Sequence, residues 1–462
     1  MSQETPQLNE FVDPFKDRSM NKGILYLALP VFISEGVNAL SNFFNRVIMG
    51  QLGETAFNSI NIGSQVFFLI VIITAAVGVG GTTLVAQNWG TGNRERANRI
   101  MQQGVVLGFI ICLLISAFGL ATRRILFAVF GTDPKTVELG LDYLFWLYLG
   151  LPIISPGFFM ASALRGSGDT KTPMLGGLFM AGLSLFLSYG LILGKMGMPR
   201  LEVEGAALAL ILSFFVFSII MAGLILVKRT ELRFSIRNWK PDITIWRSIL
   251  KIGIPSATEW LLIQAGFLIY IAVISKYGKE ALAGYFTGIA ILSIAQASTM
   301  GFQVAATTLV GQMVGAKRYN QAGRIFYRTA TLCFFIMIAF GLFFLLIIHS
   351  FIFPLMFNKL SLLSLKYARI YISLLAISMP LMGITYTLSG GLRGSGYTTR
   401  PLIASALGMY GGRIIFAYMV YYFFHPPIII VLCSVFPDHI IRSTLLLLGI
   451  RSGKWKKIKV KL

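Results

Sequence analysis

Long apolar runs, most of them of eighteen or more residues, alternate along this chain with short polar, glycine-rich or basic segments. Crossing the hydrocarbon of a bilayer takes roughly 20 helical residues, and these runs match that length. The pattern predicts helices near 24–49, 56–87, 104–121, 136–160, 173–194, 204–227, 249–275, 281–312, 327–349, 363–390, 401–424 and 427–449. Six fall on each side of the basic segment KRTELRFSIRNWKPDITIWRS, residues 228–248. The last span is interrupted by Pro437, Asp438 and Arg442. A chain of this kind is an all-α integral membrane protein, because only helices or closed barrels satisfy their backbone within lipid.

Composition supports the same class. The 462 residues are 56% hydrophobic and 13% charged, with mean hydropathy +0.75, against about 25% charged in ordinary soluble proteins. A net charge of +22 invites a nucleic-acid partner, but the distribution of charge argues otherwise. With the N-terminus taken as cytoplasmic, Lys and Arg concentrate in the segments on its side of the bilayer, the bias that sets topology. Both termini are then cytoplasmic, and the basic segments contact anionic lipid rather than nucleic acid. The first 23 residues are polar and end in KDRSMNK, which predicts no secretory signal. Cys112, Cys333 and Cys433 lie in apolar runs and read as small buried hydrophobes, with neither a disulfide nor a metal site expected.

Two phrases are written twice. ALRGSGDTKTPML (163–175) returns as GLRGSGYTTRPLI (391–403), pairing Arg165 with Arg393 and Pro173 with Pro401 at an offset of 228. TTLVAQNWGTG (82–92) returns as TTLVGQMVGAK (307–317) at an offset of 225, which also pairs Pro30 with Pro255. The halves are thus a six-helix bundle over 24–227 and another over 249–449, with an N-terminal segment 1–23, the linker 228–248 and a basic tail 450–462. An even number of helices per half gives a pseudo-two-fold along the membrane normal, as in carriers that rock one half against the other. A channel could share that symmetry. Gly166, Gly168, Gly394 and Gly396 are expected to allow tight turns after the fourth and tenth helices, and Arg165 and Arg393 to anchor those turns at the headgroups. Pro30 and Pro255 are expected to break the local helix ladder.

The paired LRGSG-x-T-x-x-P phrases, the paired LV-x-Q-x-x-G segments and the six-plus-six helices resemble the multidrug and toxic compound extrusion (MATE) family of cation-coupled exporters. The likeness runs from about residue 20 to 422. It implies a non-enzymatic carrier with an acidic residue in the seventh helix, here Glu259. It also marks departures: Asn45 stands where many relatives carry Asp, Ser188 replaces an acid of one branch, and the tenth helix carries no acid. The turn FFHPP is shorter than its first-half counterpart GKMGMPRLEVEG.

No phosphate-binding loop for nucleotide hydrolysis is present, since LILGKMG (191–197) lacks both the leading Gly and the trailing Ser or Thr. Transport must then be driven by an ion gradient or run downhill. A carrier coupled to H⁺ or Na⁺ needs a group whose occupancy shifts its conformation, and a buried carboxylate serves. Of the 18 acids, Glu35 and Glu259 lie deep in predicted helices, five and four residues after Pro30 and Pro255. Glu35, Asn38, Asn42 and Asn45 recur at spacings of 3, 4 and 3, one helical face. Asn58, Asn61 and Gln65 repeat that pattern in the second helix, and Gln296, Thr299 and Gln303 in the eighth. Such amides face a partner helix or a wet cavity. Trp260, Phe44 and Met300 are candidates for an adaptable apolar wall.

Other charged groups read as structural: Glu138 and Asp142 at a helix start, Arg46 snorkelling, and Asp438 with Arg442 as an i, i+4 pair. Arg413 is deeper and could pair with a carboxylate, and His349, His425 and His439 are expected near the membrane edges. These readings predict a multi-pass inner-membrane exporter of amphipathic, cationic or zwitterionic compounds in exchange for H⁺ or Na⁺, working as a monomer without a bound cofactor. An exporter of lipid intermediates or siderophores is the alternative within the same architecture.

Overall fold

A computed structural model describes residues 19–128, 133–235, 239–346, 361–424 and 427–458. Twelve helices follow in order: α1 (Met20–Gly50), α2 (Glu54–Gly90), α3 (Arg94–Ala128), α4 (Pro134–Ser167), α5 (Lys171–Leu193), α6 (Glu202–Leu226), α7 (Ile243–Ile274), α8 (Lys279–Gly315), α9 (Tyr319–Phe343), α10 (Leu362–Gly394), α11 (Thr399–Phe424) and α12 (Ile428–Arg451). Among the described residues there is no strand. Eleven of these helices are long and apolar enough to cross a membrane. The twelfth, α8, has 37 residues, about 55 Å at 1.5 Å per residue. The chain is an all-helical multi-pass membrane protein.

Local chemistry sets several helix ends. Asp133 caps α4, its carboxylate accepting from the Thr136 backbone N–H at 3.0 Å and the Thr136 hydroxyl at 2.6 Å. Ser361 caps α10 by accepting from the Ser364 N–H at 3.1 Å. Gly168 and Gly396, with φ of 99° and 84°, take the left-handed conformation after α4 and α10. The last helix is continuous but for a turn at Cys433–Ser434. Pro437, which the pattern placed as an interruption, sits in the first turn after it, where a missing N–H is harmless.

The described residues form two compact units, and α1 and α7 are each divided between them, at Phe32/Ile33 and at Ile254/Pro255. Unit one spans 33–254. Here α2 packs along α4, and α4 against α3 and α6, around a core of Ile60, Tyr143, Leu147, Ile192 and Ala207. The start of α7 crosses α2 so closely that a Cβ on Gly80 would overlap the Ile249 carbonyl. The segment joining α6 to α7 is strapped to α3 by two buried amides. Gln102 exchanges two hydrogen bonds with the backbone of Ser235, both 2.9 Å. Gln103 donates to the Lys240 carbonyl at 2.7 Å and accepts from the Asp242 N–H at 2.9 Å. Arg99 closes the strap on Asp242 at 2.7 Å.

Unit two comprises residues 19–32 and 255–458. Here α8 packs along α10, and α10 against α9 and α12, with Tyr270, Tyr285, Tyr371, Leu375 and Val431 in its core. Beyond α12, a short 3₁₀ turn buries Trp455 against the rings of Tyr319 and Phe326, and its indole N–H donates to the Ile450 carbonyl at 3.0 Å.

The two repeated phrases pack on one another inside each unit. In unit one the Thr82 hydroxyl of α2 donates to the Ser162 carbonyl of α4 at 2.8 Å, and in unit two Thr307 of α8 donates to the Gly390 carbonyl of α10 at 2.9 Å. A Cβ on Gly166 would overlap the Thr82 carbonyl, and one on Gly394 the Thr307 carbonyl. Gly166 and Gly394 are therefore helical residues required for close approach, while the turn conformation expected of all four glycines is taken by Gly168 and Gly396.

Candidate functional site

Glu259 lies on α7 one helical turn after Pro255 and is 2% exposed. Proline at that place removes one intrahelical hydrogen bond upstream. Two other helices of unit two supply partners for the carboxylate. Arg393, in the last turn of α10, donates from Nη2 to Oε2 at 2.8 Å, and Ser405 of α11 donates to Oε1 at 2.8 Å. A cation at a helix C-terminus is favoured by the backbone dipole. The expectation that Arg393 anchors its turn at the headgroups is corrected: its side chain is 4% exposed and turned inward on Glu259. Arg165, its counterpart in unit one, is half-buried.

The repeat register explains why only one unit has this pair. At the 225 offset Glu259 corresponds to Ser34, and at the 228 offset Ser405 corresponds to Gly177. Ser34 is buried, and a Cβ on Gly177 would come within 2.9 Å of its hydroxyl. The same packing position is thus neutral in unit one. Glu35 corresponds to Trp260 instead, one residue round the helix. It is half-buried and forms no ion pair with the described residues of its unit.

The polar face proposed for α1 does not act as one set. Asn45 is buried and donates to the Ser184 hydroxyl of α5 at 3.2 Å, and Ser41 donates to the Ala181 carbonyl. Asn45 therefore ties α1 to α5, whereas Asn42 is exposed and Asn38 half-buried. In α2, Asn61 donates to the Phe57 carbonyl of its own helix at 2.8 Å, and Gln65 is exposed. Phe44 is exposed with its ring against Phe43. In unit two, Trp260, Gln296 and Met300 are half-buried, and Gln303 is buried on α8. Within unit two the structure brings Glu259 together with Arg393 and Ser405.

Sequence reasoning missed a second cluster in unit two. Asp438 of α12 is 1% exposed and pairs with Arg413 of α11 at 2.9 Å and with Arg442 one turn along its own helix. The i, i+4 pair and a carboxylate partner for Arg413 both match the sequence expectation; that Asp438 is the shared partner and lies deep does not follow from the sequence. His439, expected at a membrane edge, is buried beside Asp438 because α12 turns that face inward. His349 and His425 lie outside the described residues. Arg413 belongs to a π-helical stretch, Leu407–Ile415, inside α11, a local widening that is frequent at functional sites. A lone charge in an otherwise apolar span was the available signal.

The chain is matched by the MatE family model over residues 30–190 and 255–419. The "Probable multidrug resistance protein NorM" of Thermotoga maritima is 28% identical to it over 442 residues, covering 95% of this chain and 94% of that protein. The "Probable multidrug resistance protein YoeA" of Bacillus subtilis is 23% identical over 441 residues, covering 94% and 93%. A solved outward-facing multidrug resistance MATE family transporter of the MOP superfamily shares the fold with TM-score 0.89 at 22% identity, over 97% of this chain and 100% of that one. Matched across both of its halves, and built from the paired helices just described, the chain belongs to the MatE family of membrane transporters.

Proposed function

We propose that this transporter is a secondary active exporter of amphipathic organic compounds, cationic or zwitterionic, working by alternating access in exchange for H⁺ or Na⁺. The observation that carries the reading is the buried Glu259, held by Arg393 and Ser405 on three different helices of unit two. An ion or a cationic group that takes the carboxylate displaces Arg393, and Arg393 returns when the carboxylate is vacated. Occupancy of one group is thereby coupled to the mutual packing of α7, α10 and α11. A ligand shifts a conformational equilibrium only through such a difference between states. The names of the curated relatives, both multidrug resistance proteins, support drug-like substrates.

The energetics are sufficient for modest concentration gradients. One pH unit supplies about 1.4 kcal/mol per proton, and the membrane potential about 2.3 kcal/mol per charge for each 100 mV. The test is efflux of a fluorescent organic cation from proteoliposomes under an imposed pH or Na⁺ gradient, for wild type and Glu259→Gln. Efflux driven by one gradient and lost in the variant supports the reading and identifies the ion. Equal efflux by both proteins removes Glu259 from the coupling role. If neither gradient moves any cation tested, a lipid-intermediate or siderophore exporter is favoured.

A further inference from the structure

The Asp438 cluster of unit two is not used by the export reading, and its charges do not balance. Arg413, Asp438 and Arg442 are 5%, 1% and 5% exposed. Two permanently charged guanidinium groups share one carboxylate, leaving one net positive charge in helices of membrane-spanning length. Among the described residues of the unit no other acid is free to neutralise it. Between residues 255 and 458 the chain has only Glu259, Glu280 and Asp438. Glu259 is engaged by Arg393, and Glu280 is exposed in the first turn of α8.

The polar atoms around Arg413 are not all satisfied by the protein. The Arg413 guanidinium pairs with Asp438 through Nε at 2.9 Å, yet neither that Nε nor the Nε of Arg442 makes a hydrogen bond among the described residues. The Arg413 Cζ lies 5.4 Å from the Phe267 ring centroid and 5.6 Å from that of Tyr270. Beside it, the Nδ1 of buried His439 has no hydrogen-bond partner among the described residues. An arginine needed only to staple α11 to α12 would be satisfied by a one-to-one pair. Breaking even is hard for a buried ion pair, and a second buried cation makes the balance worse unless an anion joins it.

We propose that Arg413 anchors an anion site inside unit two that takes a small monoanionic group, the carboxylate end of a transported zwitterionic or anionic compound. The assignment to a transported compound rests on the export reading; the site itself does not. A free inorganic monoanion such as chloride offers the same chemistry. Asp438 competes with the ligand for the guanidinium, so it tunes affinity rather than supplying contacts of its own.

The experiment is equilibrium binding to the full-length protein in nanodiscs, in chloride-free buffer, with 2-naphthoate, neutral 2-naphthamide and chloride as probes. The expected result is naphthoate binding about tenfold tighter than naphthamide, reduced to the naphthamide level by Arg413→Gln and tightened by Asp438→Asn. Naphthoate binding that survives excess chloride assigns the site to a compound's carboxylate. Chloride binding lost in Arg413→Gln, without naphthoate binding, supports the anion site and assigns it to the inorganic ion. Should wild type bind neither anion better than the amide, or should Asp438→Asn fail to tighten binding, the proposal is wrong. That comparison holds even where Arg413→Gln does not fold. Cation efflux that persists without anion binding removes this site alone, whereas anion binding without gradient-driven efflux removes the export reading alone.

Discussion

Arg393 and Glu259 form a buried ion pair at 2.8 Å that ties the second copy of the LRGSG phrase to the seventh helix. Removing one partner leaves the other charge buried, which costs about 3–5 kcal/mol. Arg393→Met and Glu259→Leu should each lower the thermal midpoint of the detergent-solubilised protein, and the double variant should be more stable than either. A double variant as unstable as the sum of the singles would mean that the two charges do not interact.

The glycine at the end of α10 is required by contact and not by conformation. Gly394→Ala drives a methyl into the Thr307 carbonyl and Gly166→Ala one into the Thr82 carbonyl, each expected to destabilise by about 1–3 kcal/mol. A Cβ on Gly411 meets nothing within 4 Å, so Gly411→Ala serves as the neutral control. Thermal unfolding of the three variants checks the order.

Gln103 satisfies one backbone acceptor and one donor of the segment entering α7. Gln103→Leu leaves both without that partner, a local cost of about 1–3 kcal/mol for each group that stays buried. Hydrogen exchange of residues 239–242 should accelerate in the variant, with the helices of unit two unchanged. Unaltered exchange in the strap would show that Gln103 does not hold it.

Trp455 is the anchor of the tail. Trp455→Ala should free the 3₁₀ turn from Tyr319 and Phe326, exposing the bonds after Lys454, Lys456 and Lys457 to trypsin. The wild-type tail should resist cleavage on the same timescale. Mass spectrometry of timed digests distinguishes the two.

Much of this architecture was readable from the chain, and the reason is lipid. Long apolar runs leave the backbone no choice but helix, and duplicated motifs mark corresponding places, so α1–α12 and the depth of Glu259 could be inferred. The partners could not. Arg393 sits at a helix end, where an arginine ordinarily meets headgroups, and only the crossing of α10 and α7 turns it inward. Arg413 and Asp438 are 25 residues apart, and helical spacing reports only neighbours three or four apart. Asn45 shared a helical face with Glu35 on paper, but packing against Ser184 decided its orientation. The register itself held one unused clue: aligning the repeats sets Glu259 opposite Ser34, which announces that the charge belongs to one half.

The division of α1 and α7 between the two units bears on how such a protein can be cut. Each repeat of the sequence runs from its first helix to its sixth, yet neither repeat coincides with a compact unit. Residues 1–227 lack the opening turns of α7 that complete unit one, and they carry the opening turns of α1 that belong to unit two. Split expression at the linker should accordingly yield fragments that aggregate when made alone and recover together only when synthesised in the same cell.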